Sequence, residues 1–146
     1  MPKFGRKSKE RLDTCHEDLQ ILFKHIVEEV DCSVLCGYRG EREQNRAVAE
    51  GKSKAVYPHG RHNANPSLAC DVVPYPVDWD DMDRFYYFAG FVLATAKVLK
   101  DLGEITHDIR WGGSWRDFKK GKIDFSYNKR KDVLDDKPHF ELIPNE

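Results

Sequence analysis

From Asp81 to Leu102 the chain carries Met82, Phe85, Tyr86, Phe88, Ala89, Phe91, Val92, Leu93, Ala96, Val98 and Leu99, with no proline among them and Gly103 at the far end. Apolar side chains on nearly every side of a helix must be covered by the rest of the molecule, so this stretch predicts a buried central helix. It follows Pro74-Tyr75-Pro76, and Asp78 or Asp80 is placed to cap its start. Whatever else the chain forms has to pack around that helix.

The flanking segments supply the packing partners. From Ser8 to Val30, Leu12, Cys15, Leu19, Leu22, Phe23, Ile26, Val27 and Val30 recur in steps of three and four, which predicts a flanking amphipathic N-terminal helix with Ser8 as its cap. Short apolar runs at 33–38, 68–73, 109–111 and 139–143 read as strands, with a second helix over 41–50 ending at Gly51. Between Gly51 and Pro66 periodicity is lost and Gly, Pro, Asn and His gather, the mark of a long loop of the kind that often carries function. A polar segment rich in Lys and Asp precedes the last strand. Helices and strands in mixed order, with too few βαβ repeats for a doubly wound sheet, predict a small α+β fold with a mixed or antiparallel sheet. At 146 residues, positions 1–146 are expected to form a single domain and to act as a monomer.

Charge narrows the partners. Lys and Arg number 24 against 25 Asp and Glu, so the net charge of −1 gives no reason to expect nucleic acid. A metal-dependent nuclease built on His62-Asn63 and His139 is disfavoured on the same ground. No apolar run approaches the about 18 to 20 residues of a membrane span, and no apolar core follows the basic opening, so neither an integral membrane segment nor a Sec-type signal peptide is expected. Cys15, Cys32, Cys36 and Cys70 lack paired CxxC spacing and are expected to be reduced, Cys32 and Cys36 as buried strand residues.

Of six histidines, His16 and His25 fall on or beside the polar face of the first helix and His107 falls in a turn, ordinary settings for a surface imidazole. His59, His62 and His139 lie in or next to irregular or strand-terminal segments, where ligands are commonly mounted. A catalytic zinc takes three protein ligands and leaves a fourth position open, and two histidines with one carboxylate are a common set; His62, Asp71 and His139 supply it. Alternation along 68–73 puts Asp71 with Ala69 and Val73, and sends Cys70 into the core with Val72. Alternation along the last strand sets Glu141 beside His139, either to orient a ligating imidazole or as a plain surface carboxylate. Hydrolysis also needs a base for the attacking water. Asp136, three residues before His139, can reach such a water without being a ligand, and spacing does not separate it from Asp135.

At these residues the sequence resembles the VanY-type zinc peptidases of the D-Ala-D-Ala carboxypeptidase superfamily, and in particular phage endolysins with L-alanyl-D-glutamate peptidase activity. The family pattern of Ser-x-His, then Gly-x-Ala-x-Asp and a proline, is echoed by Gly60-Arg61-His62 and by Ser67 to Pro74. Asp136-Lys137-Pro138-His139 matches the C-terminal pattern of an acid three residues before a histidine, Gly37-Tyr38-Arg39 with Glu43-Gln44 resembles the arginine segment, and Arg110-Trp111-Gly112-Gly113 resembles the strand before the last loop. The resemblance covers most of the chain. It implies zinc on His62, Asp71 and His139 in preference to His59, Asp136 in preference to Asp135 as catalytic base, and Arg39 polarising the scissile carbonyl, where a surface ion pair with Glu41 or Glu43 is the plain alternative.

The chain departs from the pattern in three places: Gly60 stands for the serine, Ser114 for the acid after Trp-Gly-Gly, and the eight residues between His62 and Asp71 exceed the commoner family spacing. The function implied is zinc-dependent hydrolysis of peptidoglycan stem peptides, as a phage endolysin cutting L-Ala-D-Glu. Alternatives are a D-Ala-D-Ala carboxypeptidase using the same site and a non-catalytic wall-binding module. Such an endolysin is expected to gather in the host cytoplasm and to act at the bacterial cell wall once the membrane is opened.

Overall fold

In the computed structural model, which describes residues 2–115, 127–128 and 134–144, the elements run α1 (Arg6–Leu12), α2 (Glu17–Glu29), β1 (Cys32–Cys36), α3 (Glu41–Ala49), a 3-10 turn (Arg61–Asn63), β2 (Ala69–Pro74), α4 (Met82–Asp101), β3 (Ile109–Trp111) and β4 (His139–Leu142). The strands form one sheet in the order β1-β2-β4-β3, antiparallel at every pairing. The fold is α+β, as the pattern of elements predicts. The polar segment expected ahead of β4 lies largely outside the described residues.

The apolar run at 82–101 does become a helix, started by the Asp81 carboxylate, which accepts a hydrogen bond from the Arg84 N–H at 3.3 Å. Asp81, not Asp78 or Asp80, is thus the cap. One stripe of α4, including Phe88, Val92, Ala96 and Leu99, is buried, while Tyr87 and Val98 on the other side are 78% and 56% exposed. The helix is central but covered on one face.

The single helix expected from Ser8 to Val30 is two helices. Cys15 makes a parallel bridge to Ser67, with the Ser67 N–H on the Thr14 carbonyl at 2.9 Å and the His16 N–H on the Ser67 carbonyl at 2.8 Å. Those backbone groups would otherwise have continued the helix, and a distant segment takes them instead. His16 then restarts it, its Nδ1 accepting the Asp18 N–H at 3.0 Å. Ser8 is not a cap, since Gly5 holds that position; its hydroxyl accepts the Val34 N–H at 3.0 Å on the sheet edge.

Burial divides the sheet into two faces. Cys70, Val72, Phe140 and Leu142 join Leu19, Leu22, Phe23 and Ile26 of α2 and the buried stripe of α4 in one core. Phe140 is its hub, with Phe23 and Phe88 edge-on at ring separations of 5.6 and 6.1 Å. The alternate positions point away from this core, and they carry the polar residues.

Candidate metal centre

Strand register assembles the site. Asp71 lies directly opposite His139 across β2 and β4, and Glu141 lies opposite Arg110 across β4 and β3. Because directly opposite residues share a face, four polar side chains collect on the side of the sheet away from the core. A register shift in β1 between Val34 and Cys36 carries the chain onward so that Gly37 and Arg39 pass over the same face. The His62 carbonyl accepts the Arg39 N–H at 2.8 Å, which brings the loop histidine to the sheet.

His62 Nε2, His139 Nδ1 and Asp71 Oδ1 form a near-equilateral triangle with edges of 3.1, 3.2 and 3.2 Å. The remaining nitrogen of each ring is committed elsewhere. His62 Nδ1 donates to the Gly37 carbonyl at 2.7 Å, and His139 Nε2 donates to the Glu141 carboxylate at 2.9 Å. Both acceptors lack protons, so each ring, once its inward nitrogen is deprotonated, presents a lone pair to the centre of the triangle. Tetrahedral coordination at bond lengths of about 2.0 to 2.2 Å sets ligand atoms roughly 3.3 to 3.6 Å apart, close to the edges found here. The donor set therefore fits a divalent metal ion.

Electrostatics reinforce the arrangement. Burial opposes a charge on His62, but the Asp71 carboxylate prevails and pushes it up to about 10. His139 is likewise opposed by burial and pushed up to about 8 by hydrogen bonds to Asp71 and Glu141. Burial works against ionised Asp71 as well, and the two histidines hold it well below the usual carboxylate range. Both shifts favour protons on the two inward nitrogens, which metal binding would have to displace.

Asp136 Oδ2 stands 3.7 Å from His139 Nδ1, close enough to be grouped with Asp71 and His139 as a possible ligand. Burial, then the charge of Asp71, push its carboxyl up to about 6. A tight turn fixes its position: the Asp136 N–H reaches the Gly112 carbonyl at 3.1 Å, and the Asp136 carbonyl accepts the His139 N–H at 3.1 Å. A Cβ on Gly112 would strike the Asp136 carbonyl, so the glycine allows this close approach. Asp135 is half-bound elsewhere, in an ion pair with Lys137.

Arg39 Nη2 lies 3.6 Å from Asp71 Oδ2, and its Nη1 donates to Gln44 Oε1 at 3.1 Å. It faces the metal centre and pairs with neither Glu41 nor Glu43 among the described contacts. Gln44 is buried and also binds Ser53, Ala55 and Asn63, tying the loop after α3 to Arg39. His59 lines the cleft but does not join the triangle, whereas Cys36 lies within ligand reach of His62 and Asp71. Gly60, the departure from the family serine, donates its N–H to Asn63 Oδ1 at 2.9 Å, and a Cβ there would press on that oxygen.

Sequence reasoning missed the Gly37 carbonyl, the buried hub at Gln44, the arginines on Glu141 and the Trp115 ring 5.1 Å from His139. The opposite charges of Arg110 and Glu141 were a possible signal, but only once strand register is known. The histidines set aside are accounted for. His25 pairs with Glu104 at 3.4 Å. His107 Nδ1 lies 2.7 Å from Asp18 Oδ2, an oxygen that also accepts from Thr106 N–H, Thr106 hydroxyl and His107 N–H.

The cleft over the triangle has a volume of about 440 Å³ and is lined by Arg39, His62, Arg110, Asp136, His139 and Glu141 among others. Among the described residues no helix is long and apolar enough to cross a membrane. No curated protein sequence matches the chain. A solved structure, the Serratia marcescens L-Ala D-Glu endopeptidase ChiX, superimposes with a TM-score of 0.67 at 26% identity over 97% of this chain and 90% of that one. The sequence model of the family described as phage L-alanyl-D-glutamate peptidase matches residues 1–143. By that match over nearly all its length, the chain belongs to the phage L-alanyl-D-glutamate peptidase family.

Proposed function

We propose that this protein is a zinc-dependent peptidase that hydrolyses the L-Ala-D-Glu bond of peptidoglycan stem peptides, with His62, Asp71 and His139 as zinc ligands. The observation that carries the reading is the triangle of three lone-pair atoms 3.1 to 3.2 Å apart, each imidazole already fixed through its other nitrogen. Nitrogen and carboxylate ligands in a three-residue set suit zinc in a site that keeps one position open. When bound, zinc acts as a Lewis acid that acidifies water and polarises a carbonyl.

The protein's own groups supply the rest. Asp136 takes the proton of the attacking water and passes it to the departing amine, a task suited to a carboxylate 3.7 Å from His139 Nδ1 at the edge of the triangle. Arg39, steadied by Gln44, donates to the carbonyl oxygen as negative charge develops on it. Glu141 holds the His139 ring in place.

The test is digestion of purified peptidoglycan by the zinc-loaded protein, followed by mass spectrometry. New D-glutamyl amino termini are expected. Release of free D-alanine instead would replace this reading with a carboxypeptidase, and wall binding without any new termini would replace it with a binding module.

A further inference from the structure

Two arginines beside the metal centre have no part in the steps above. Arg61, directly before His62, and Arg110, in the middle of β3, approach the same oxygen of Glu141, Oε2, at 3.4 and 2.7 Å. The other oxygen of that carboxylate receives His139 Nε2–H at 2.9 Å. Among the described residues, one carboxylate therefore meets two guanidinium groups, and both of its oxygens are engaged.

The arginines remain open to the cleft. Their side chains are 31% and 34% exposed, and both line the cavity over the triangle, together with Lys52 and Lys54. Trp115 backs Arg110, with its ring 5.3 Å from the guanidinium carbon, so the group is held in a fixed orientation. Arg110 Nε is buried and has no hydrogen-bond acceptor among the described residues.

We infer that Arg61 and Arg110 form a carboxylate subsite that reads the free carboxyl group of the substrate's glutamate. The inference rests on the L-Ala-D-Glu reading proposed above. Glutamate has two carboxyl groups; when one continues the peptide, the other stays free within a few bonds of the scissile nitrogen unless it is capped as an amide. A carboxylate accepts from guanidinium forks in matched, charge-assisted pairs. An amide in its place loses the charge and turns an NH2 donor toward donors. The cleft thus selects stem peptides whose glutamate carboxyl is free over those in which it is amidated.

The test compares L-Ala-γ-D-Glu-L-Lys with its D-isoglutaminyl counterpart, using the zinc-loaded protein. Both kcat/KM and calorimetric binding of the two product dipeptides are measured. The free carboxylate is expected to win by about tenfold or more in each measurement. That ratio should collapse toward one in Arg61→Gln and Arg110→Gln, whatever their absolute rates, and Arg61→Lys should restore part of it. Equal rates and equal affinities for the two forms in the unaltered protein would overturn the subsite and leave the peptidase reading standing. A preference that survived in both glutamine variants would overturn it too. A protein that cut neither peptide, yet bound the carboxylate product more tightly, would keep the subsite and end the peptidase reading.

Discussion

The two imidazoles of the metal centre are held by different means, a backbone carbonyl for His62 and the Glu141 carboxylate for His139. Only the second can be removed by substitution, so Glu141→Ala should weaken zinc binding by about 10- to 100-fold, the usual effect of losing an outer partner. Competition against a chelating dye would measure it, and unchanged affinity would leave Glu141 without that role. Asp136 separates metal binding from chemistry. Asp136→Asn keeps the shape but cannot take a proton, so it should hold zinc and slow by about 10²- to 10⁴-fold. His139→Ala should lose both, and zinc content beside rate distinguishes the cases. Loss of zinc in Asp136→Asn would make Asp136 a ligand. At this scale a candidate metal set was expected from loop and strand-terminal histidines and a strand aspartate, the family resemblance singled out His62 over His59, and the fold brings His62, Asp71 and His139 together. The Gly37 carbonyl and the Arg61, Arg110 and Glu141 cluster were not legible in the sequence, because each depends on which strands pair and in what register.

Among the elements, strands and the central helix were readable from periodicity, whereas the first helix was misjudged across 13–16. Apolar spacing runs unbroken through Leu12, Cys15 and Leu19, and nothing local reveals that Ser67 will claim the backbone around Cys15. The restart of the helix brings its own anchor. Burial alone would raise the Asp18 carboxyl, but hydrogen bonds from His107 and Thr106 outweigh it and hold the group below its usual value. A carboxyl lowered by folding contributes stability that is present above its unfolded pKa and is lost as pH falls through its folded pKa. The loss should therefore appear below pH 3.8, the ordinary value for the group. Melting temperature measured from about pH 6 to about pH 2 should fall less steeply in Asp18→Asn, which starts lower, than in the unaltered protein. Parallel acid limbs in the two proteins would show that Asp18 does not supply this dependence.

Across the whole molecule, the three proposed ligands come from a loop, from β2 and from β4, so one ion would join segments far apart in the chain. A ligand that binds only the folded state stabilises it by mass action. Chelation should thus lower the melting temperature and zinc should restore it, while His62→Ala should melt at the same temperature with or without the chelator. A melting temperature indifferent to chelator in a protein shown to have carried zinc would argue against that coupling. The strand order has another bearing. β4 lies between β2 and β3, and it supplies Phe140 to the core as well as His139 to the triangle. During synthesis, β1, β2 and β3 leave the ribosome with the middle of their sheet missing, and they must wait for residues 139–142 before the long-range pairing can close. A nascent chain therefore has neither a closed sheet nor the third corner of its triangle until residues 139–142 have emerged, so no shorter stretch of it can assemble the site.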